Sequence, residues 1–121
     1  MTAPTLPMLA LLAKQGDTDA LRKVLEADFS KAIVAYATQQ GWLSHYERRS
    51  GHKGQDGTWR GSGPKGKPDL TLVRDGVVLL CELKRETTYP TVAQREWLAA
   101  LGDFGRLWRP RDASDAMREL E

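Results

Sequence analysis

The chain has 121 residues, 40% of them hydrophobic and 28% charged, with a formal net charge of +2. That length suits one domain with a real core rather than two, and the composition excludes wholesale disorder. No apolar run approaches the roughly 20 residues a bilayer-spanning helix needs, so no membrane contact is expected. Cys81 is the single cysteine. It excludes an internal disulfide and, with no basic stretch ahead of the short apolar segment near the start, suits the cytoplasm.

In chain order, residues 1–16 carry weak patterning, expected as an extension or a short helix around Met8 to Lys14. Residues 17–121 are expected as a single domain. Asp17 or Thr18 caps the next helix, whose apolar residues at 21, 24, 25, 29, 32, 33 and 36 follow helical spacing, with a break near Asp28. Gly41 ends it. "WLSHYER" alternates as a strand, with His45 on its surface.

The segment 48–67 follows. Six glycines between 51 and 66 rule out a regular helix. Arg48, Arg49, Lys53, Arg60, Lys65 and Lys67 stand there against one acid, Asp56, a charge footprint suited to a polyanion. Trp59 lies among them and could stack on a base or anchor the loop. His52 belongs to this loop and carries no metal pattern.

Two apolar runs, 69–74 and 77–84, flank Asp75-Gly76. This pair is a strong signal for a type I′ hairpin, because both turn residues must tolerate positive φ. Counting outward from the turn pairs Arg74 with Val77, Leu72 with Leu79, Leu70 with Cys81, and Asp69 with Glu82. The period of two then places Lys84 on the same face as Glu82. The runs read as buried on both faces, and opposed carboxylates at a buried strand end repel each other. A divalent cation relieves that repulsion: Mg²⁺ takes oxygen ligands, including one or two carboxylates. A nearby ammonium can orient water or stabilise charge on phosphate. A plain salt bridge of Lys84 with its neighbours is the ordinary alternative. Cys81 falls on the opposite face as a small core residue.

A helix follows from Thr91, with Val92, Trp97, Leu98 and Leu101 as its apolar positions. "RLWR" is a short strand ended by Pro110, and "DASDAMRELE" a last helix capped by Asp112. Trp42, Trp97 and Trp108 are expected in the core. The order α-β-β-β-α-β-α places the chain in the α/β class, with a mixed central sheet flanked by helices.

Pro68-Asp69, the hairpin, and then Glu82-Leu83-Lys84 resemble the signature of the PD-(D/E)XK nuclease superfamily. With "GKPDL", "QREWLAAL" and the upstream "EADF…GW", the chain is similar to the VRR-NUC group of that superfamily over about residues 24 to 110. That group occurs as stand-alone phage and bacterial proteins and within larger repair nucleases. The resemblance implies a restriction-endonuclease-like fold and hydrolysis of DNA phosphodiesters with Mg²⁺ or Mn²⁺. It implies Asp69, Glu82 and the Leu83 carbonyl as metal ligands, with Glu26 joining them directly or through water. Lys84 would be the catalytic lysine and Gln94 a supporting glutamine. Each of Glu26 and Gln94 has an ordinary alternative as a helix-surface residue.

The expected activity is therefore a structure-selective or weakly sequence-specific endonuclease acting on duplex or branched DNA as a homodimer. The six basic residues of 48–67 would hold phosphates. The competing expectation is a non-catalytic nucleic-acid-binding or accessory subunit of a phage or repair complex.

Overall fold

The computed structural model describes residues 3–47 and 65–121 in full, and between them the backbone of two short strands, 52–53 and 59–60. Thr5 caps the first helix, α1 (Leu6–Gln15), its hydroxyl accepting the Met8 N–H, and Gly16 closes it in the left-handed region. Asp17 caps α2 (Thr18–Arg22) through the Ala20 N–H. The chain breaks at residues 23–25, earlier than Asp28, and α3 (Glu26–Gln39) begins behind Leu25, which has no side-chain cap bond. Val24 is buried at this break while Leu25 is turned outward, 52% exposed, so packing rather than a capping side chain sets the boundary.

The strands are β1 (Leu43–Tyr46), β2 (His52–Lys53), β3 (Trp59–Arg60), β4 (Leu70–Arg74), β5 (Val77–Leu83) and β6 (Gly105–Trp108). Helix α4 (Val92–Leu101) connects β5 to β6, and α5 (Ala113–Leu120) follows a 3₁₀ turn at Pro110–Asp112. Strands β1-β4-β5-β6 form a four-stranded mixed sheet, antiparallel except for the β5–β6 pair. Strands β2 and β3 pair with each other, His52 opposite Arg60.

The β4–β5 register runs from Arg74–Val77 to Leu70–Cys81, as counting from the turn predicts. Asp75 and Gly76 have φ of 50° and 80°, the two positive values a type I′ turn requires.

One sheet face, with Leu70, Leu72, Leu79 and Cys81, joins Phe29 and Ile33 of α3, Leu6 and Leu9 of α1, and Leu120 of α5 in a single core. Helix α1 is therefore no appendage: Leu6 and Leu9 are 1% and 0% exposed. Burial pushes the Cys81 thiol from 9.0 up to about 12, with Arg106 pulling it down and Glu119 adding to the rise.

The opposite face receives α4. Gly105 lies against Leu98 and Leu101 of that helix, 3.1 Å from the Leu101 Cβ for an added Cβ, and pairs in register with Leu80. Because α4 packs at β6, the turn end of the hairpin is less covered than predicted. Val77 and Val78 are 47% and 38% exposed, and burial is continuous only over Cys81–Leu83.

Three further expectations change. Val92, at the first position of α4, faces away from the sheet and is 62% exposed. Trp97 is only half-buried and donates its indole N–H to the Lys65 carbonyl, whereas Trp42 and Trp108 are core residues. Asp112 accepts the Arg109 N–H at 2.9 Å, closing the 3₁₀ turn instead of capping α5.

Arg74 fastens the sheet to two helix ends. Its guanidinium donates to the carbonyls of Gln40, Leu120 and Glu121 at 2.7, 2.9 and 2.8 Å and lies over the Trp42 ring. Cations are favoured at helix C-termini, where carbonyls lack intrahelical partners. No helix among the described residues is long and apolar enough to cross a membrane.

Candidate active site

Asp69 precedes the first rung of the hairpin, Leu70–Cys81, and the next step of that ladder places it across from Glu82. Its carbonyl accepts the Glu47 N–H at 2.8 Å, which holds the end of β4 against the end of β1. Glu82 lies on the α4 face of the sheet and is 1% exposed. The Lys84 ammonium stands 3.5 Å from Glu82 Oε1, its own side chain 14% exposed. Glu82 and Lys84 therefore meet at the end of β5, and Asp69 lies one residue before the start of β4, next to the Leu70–Cys81 rung of the hairpin. A buried carboxylate beside an ammonium in low dielectric interacts far more strongly than a surface pair.

Glu26 opens α3, where the helix dipole favours a carboxylate regardless of function. Glu26 and Asp69 line the same cleft of about 710 Å³, with Ser30, Lys31 and Tyr46. Ser30 ties this wall together: its hydroxyl donates to the Glu26 carbonyl at 2.9 Å and lies 3.3 Å from the Tyr46 hydroxyl. Sequence reasoning missed Ser30 and Tyr46. Only the alternation of β1, which turns Tyr46 toward the core face opposite Leu70, signals the contact.

Gln94 is 8% exposed and belongs to a capping box. Its side-chain oxygen accepts the Thr91 N–H at 2.8 Å, and its own N–H donates to the Thr91 hydroxyl at 3.1 Å. The glutamine thus fixes the start of α4, the helix lying over the Glu82 face.

The approach to Asp69 is fixed by Gly66, a second residue that composition alone did not single out. At φ +90° it passes so close to α4 that an added Cβ would sit 2.6 Å from the carbonyl carbon and oxygen of Ala93. With Trp97 bonded to the Lys65 carbonyl, residues 65–66 are locked onto α4 three residues before Asp69.

Of the six basic residues expected to hold phosphate, Lys65 is exposed and Lys67 pairs with Glu47 at 3.9 Å. Arg48 and Arg49, and the side chains of Lys53 and Arg60, lie outside the described residues, as do those of His52 and Trp59.

The donors that the resemblance implies for a cation are two carboxylates, Asp69 and Glu82, and the Leu83 carbonyl. Hard oxygen donors of this kind fit Mg²⁺ or Mn²⁺, which keep water in their remaining positions. Among the described residues no three His, Cys, Asp or Glu side chains converge on one metal position. Compared with protein-family models, with curated proteins and with solved structures, the chain finds no match in any of the three.

Proposed function

We propose that the chain is a divalent-metal-dependent DNA endonuclease with the restriction-endonuclease-like fold, in the VRR-NUC branch of the PD-(D/E)XK superfamily. One observation supports the reading: a fully buried Glu82 at the end of the hairpin with the Lys84 ammonium 3.5 Å from its carboxylate, on a register that, continued one step past Leu70–Cys81, would set Asp69 across from Glu82. A structural salt bridge rarely needs an acid this buried, because taking the charges out of water costs much of what their attraction returns.

Asp69, Glu82 and the Leu83 carbonyl would hold the cation. When bound there, a divalent ion supplies Lewis-acid polarisation of a phosphoryl oxygen and a lowered pKa for an attacking water. Lys84, held by Glu82, presents a positive charge where negative charge develops on the phosphate. Glu26 would fix water across the cleft it shares with Asp69. Gln94 acts at one remove, by holding the first turn of α4 in place. A homodimer would present one such cluster to each strand of a duplex.

The test is cleavage of duplex, flap and four-way-junction DNA with Mg²⁺ or Mn²⁺. Metal-dependent cleavage is expected, falling at least about a hundredfold in Lys84→Ala and Asp69→Asn, the loss typical when one preorganised electrostatic group is removed. Thermal melting of both variants separates lost chemistry from lost folding. DNA binding without cleavage by any of these substrates would sink the enzymatic reading in favour of a binding module.

A further inference from the structure

The parallel strands β5 and β6 end side by side. Beyond their last rung, Leu83–Trp108, the Lys84 N–H still donates to the Trp108 carbonyl at 3.0 Å. The residues that follow leave the same end of the sheet, next to Lys84, and they are rich in arginine: Arg85 after β5, Arg109 and Arg111 after β6. Crevices outside the carboxyl ends of parallel strands are where open α/β sheets bind ligands.

Each guanidinium is anchored to backbone. Arg85 Nη2 donates to the Arg22 carbonyl at 3.2 Å, and Arg109 Nη2 to the Thr88 carbonyl at 2.9 Å. Arg111 is neutralised, its Nε 3.0 Å from Glu86 Oε1. Arg22, Tyr89 and Arg111 line a cleft of about 610 Å³ between α2 and residues 86–89. The acids nearby are Asp112, whose carboxylate is engaged by the Arg109 main-chain N–H, Glu86, which lines the cleft and pairs with Arg111, and Asp17 and Asp19 at the start of α2.

Two observations point to an anionic ligand with an aromatic component. Arg85 Nε and Arg109 Nε are both buried and have no hydrogen-bond acceptor among the described residues. A buried charged donor without an acceptor is costly, and phosphate oxygens match the guanidinium fork. Tyr89, 80% exposed, is held with the Arg109 guanidinium 5.7 Å from its ring centroid. An exposed ring positioned beside fixed guanidinium groups is how single-stranded nucleic acid is gripped, base on ring and phosphate on arginine.

We infer that Arg22, Arg85, Arg109 and Tyr89 form a single-strand binding site that guides one nucleic-acid strand away from the Asp69–Glu82–Lys84 cluster. The inference rests on the nuclease reading and adds the strand form and its path.

The experiment uses the full chain in EDTA, which stops cleavage, and a fluorescein-labelled twelve-nucleotide DNA single strand followed by anisotropy over a salt series. Tyr89→Ala should weaken binding by about fivefold to a hundredfold, the range for loss of one base stack. Arg22→Gln and Arg109→Gln should each flatten the slope of log K against log salt by about 0.7. In the ¹⁵N-arginine spectrum of the unmutated chain, the Arg85 and Arg109 Nε–H signals should move with the strand. They should stay in place with inorganic phosphate at equal phosphate concentration.

Shifts reproduced by inorganic phosphate would overturn the strand assignment. Unchanged affinity and slope in all three variants of a chain that does cleave DNA would overturn this site alone. A chain that neither binds nor, with Mn²⁺, cleaves DNA would overturn both this site and the nuclease reading.

Discussion

Gly66 shows how one missing methyl group can place a carboxylate. An alanine there would meet Ala93 backbone at 2.6 Å and adopt a φ of +90°, so neither the loop nor α4 could stay where it is. Gly66→Ala is expected to cost about 1–3 kcal/mol from the strained φ alone, with the clash adding to it, and to pull Asp69 out of line with Glu82. Urea denaturation should register the first effect. Under the proposed nuclease activity, the second should appear as a fall in cleavage rate at saturating metal, larger than the stability loss explains. This glycine was invisible in the sequence because five other glycines crowd residues 51–63. Nothing local distinguishes a glycine needed for close approach from one that merely loosens a loop. Asp69, Glu82 and Lys84 were legible for the opposite reason: acids and a lysine at the ends of apolar runs are conspicuous against their neighbours.

At the level of elements, the hairpin was readable to the residue because its turn chemistry and period of two are both local rules. Helix α4 was readable in extent but not in orientation. Val92 and Trp97 fit the apolar pattern, yet the helix meets the sheet through Leu98 and Leu101 at Gly105, and its first turn is governed by the capping box. That box yields a discriminating test of Gln94. Thr91→Ala and Gln94→Ala should each lower stability by about 1 kcal/mol, and less than additively together, because each breaks the same reciprocal pair. Equal losses of cleavage rate in the two variants would mean that Gln94 acts solely by positioning α4. A much larger loss in Gln94→Ala would give its side chain a direct part in the site. The sequence placed the two-helix break near Asp28 rather than at residues 23–25 because Leu25 caps α3 without any side-chain bond, leaving no polar marker.

Over the whole molecule, the contacts that close the fold link distant segments and so leave no local signature. Arg74 reaches carbonyls at Gln40, Leu120 and Glu121, and α1 buries Leu6 and Leu9 in the core shared with the sheet. Fold class was legible from the order of periodic segments, whereas the inclusion of α1 in the core was not. The same closed core has a consequence for alkaline solution. Cys81 stays protonated in the folded chain up to about pH 12 but ionises near 9.0 when exposed. Between those values the unfolded chain binds fewer protons than the folded one, so folding stability must decline as pH rises. The decline is about 1.4 kcal/mol per pH unit from this thiol; it is absent below pH 9.0 and complete once pH passes about 12. Tyrosines and lysines titrate in that range too, so the comparison is with Cys81→Ala. The difference in unfolding free energy between the two chains should be flat at neutral pH and shrink steadily above 9.0. A single buried thiol thereby makes folding less favourable in alkaline solution, independent of anything that happens at the charged strand ends.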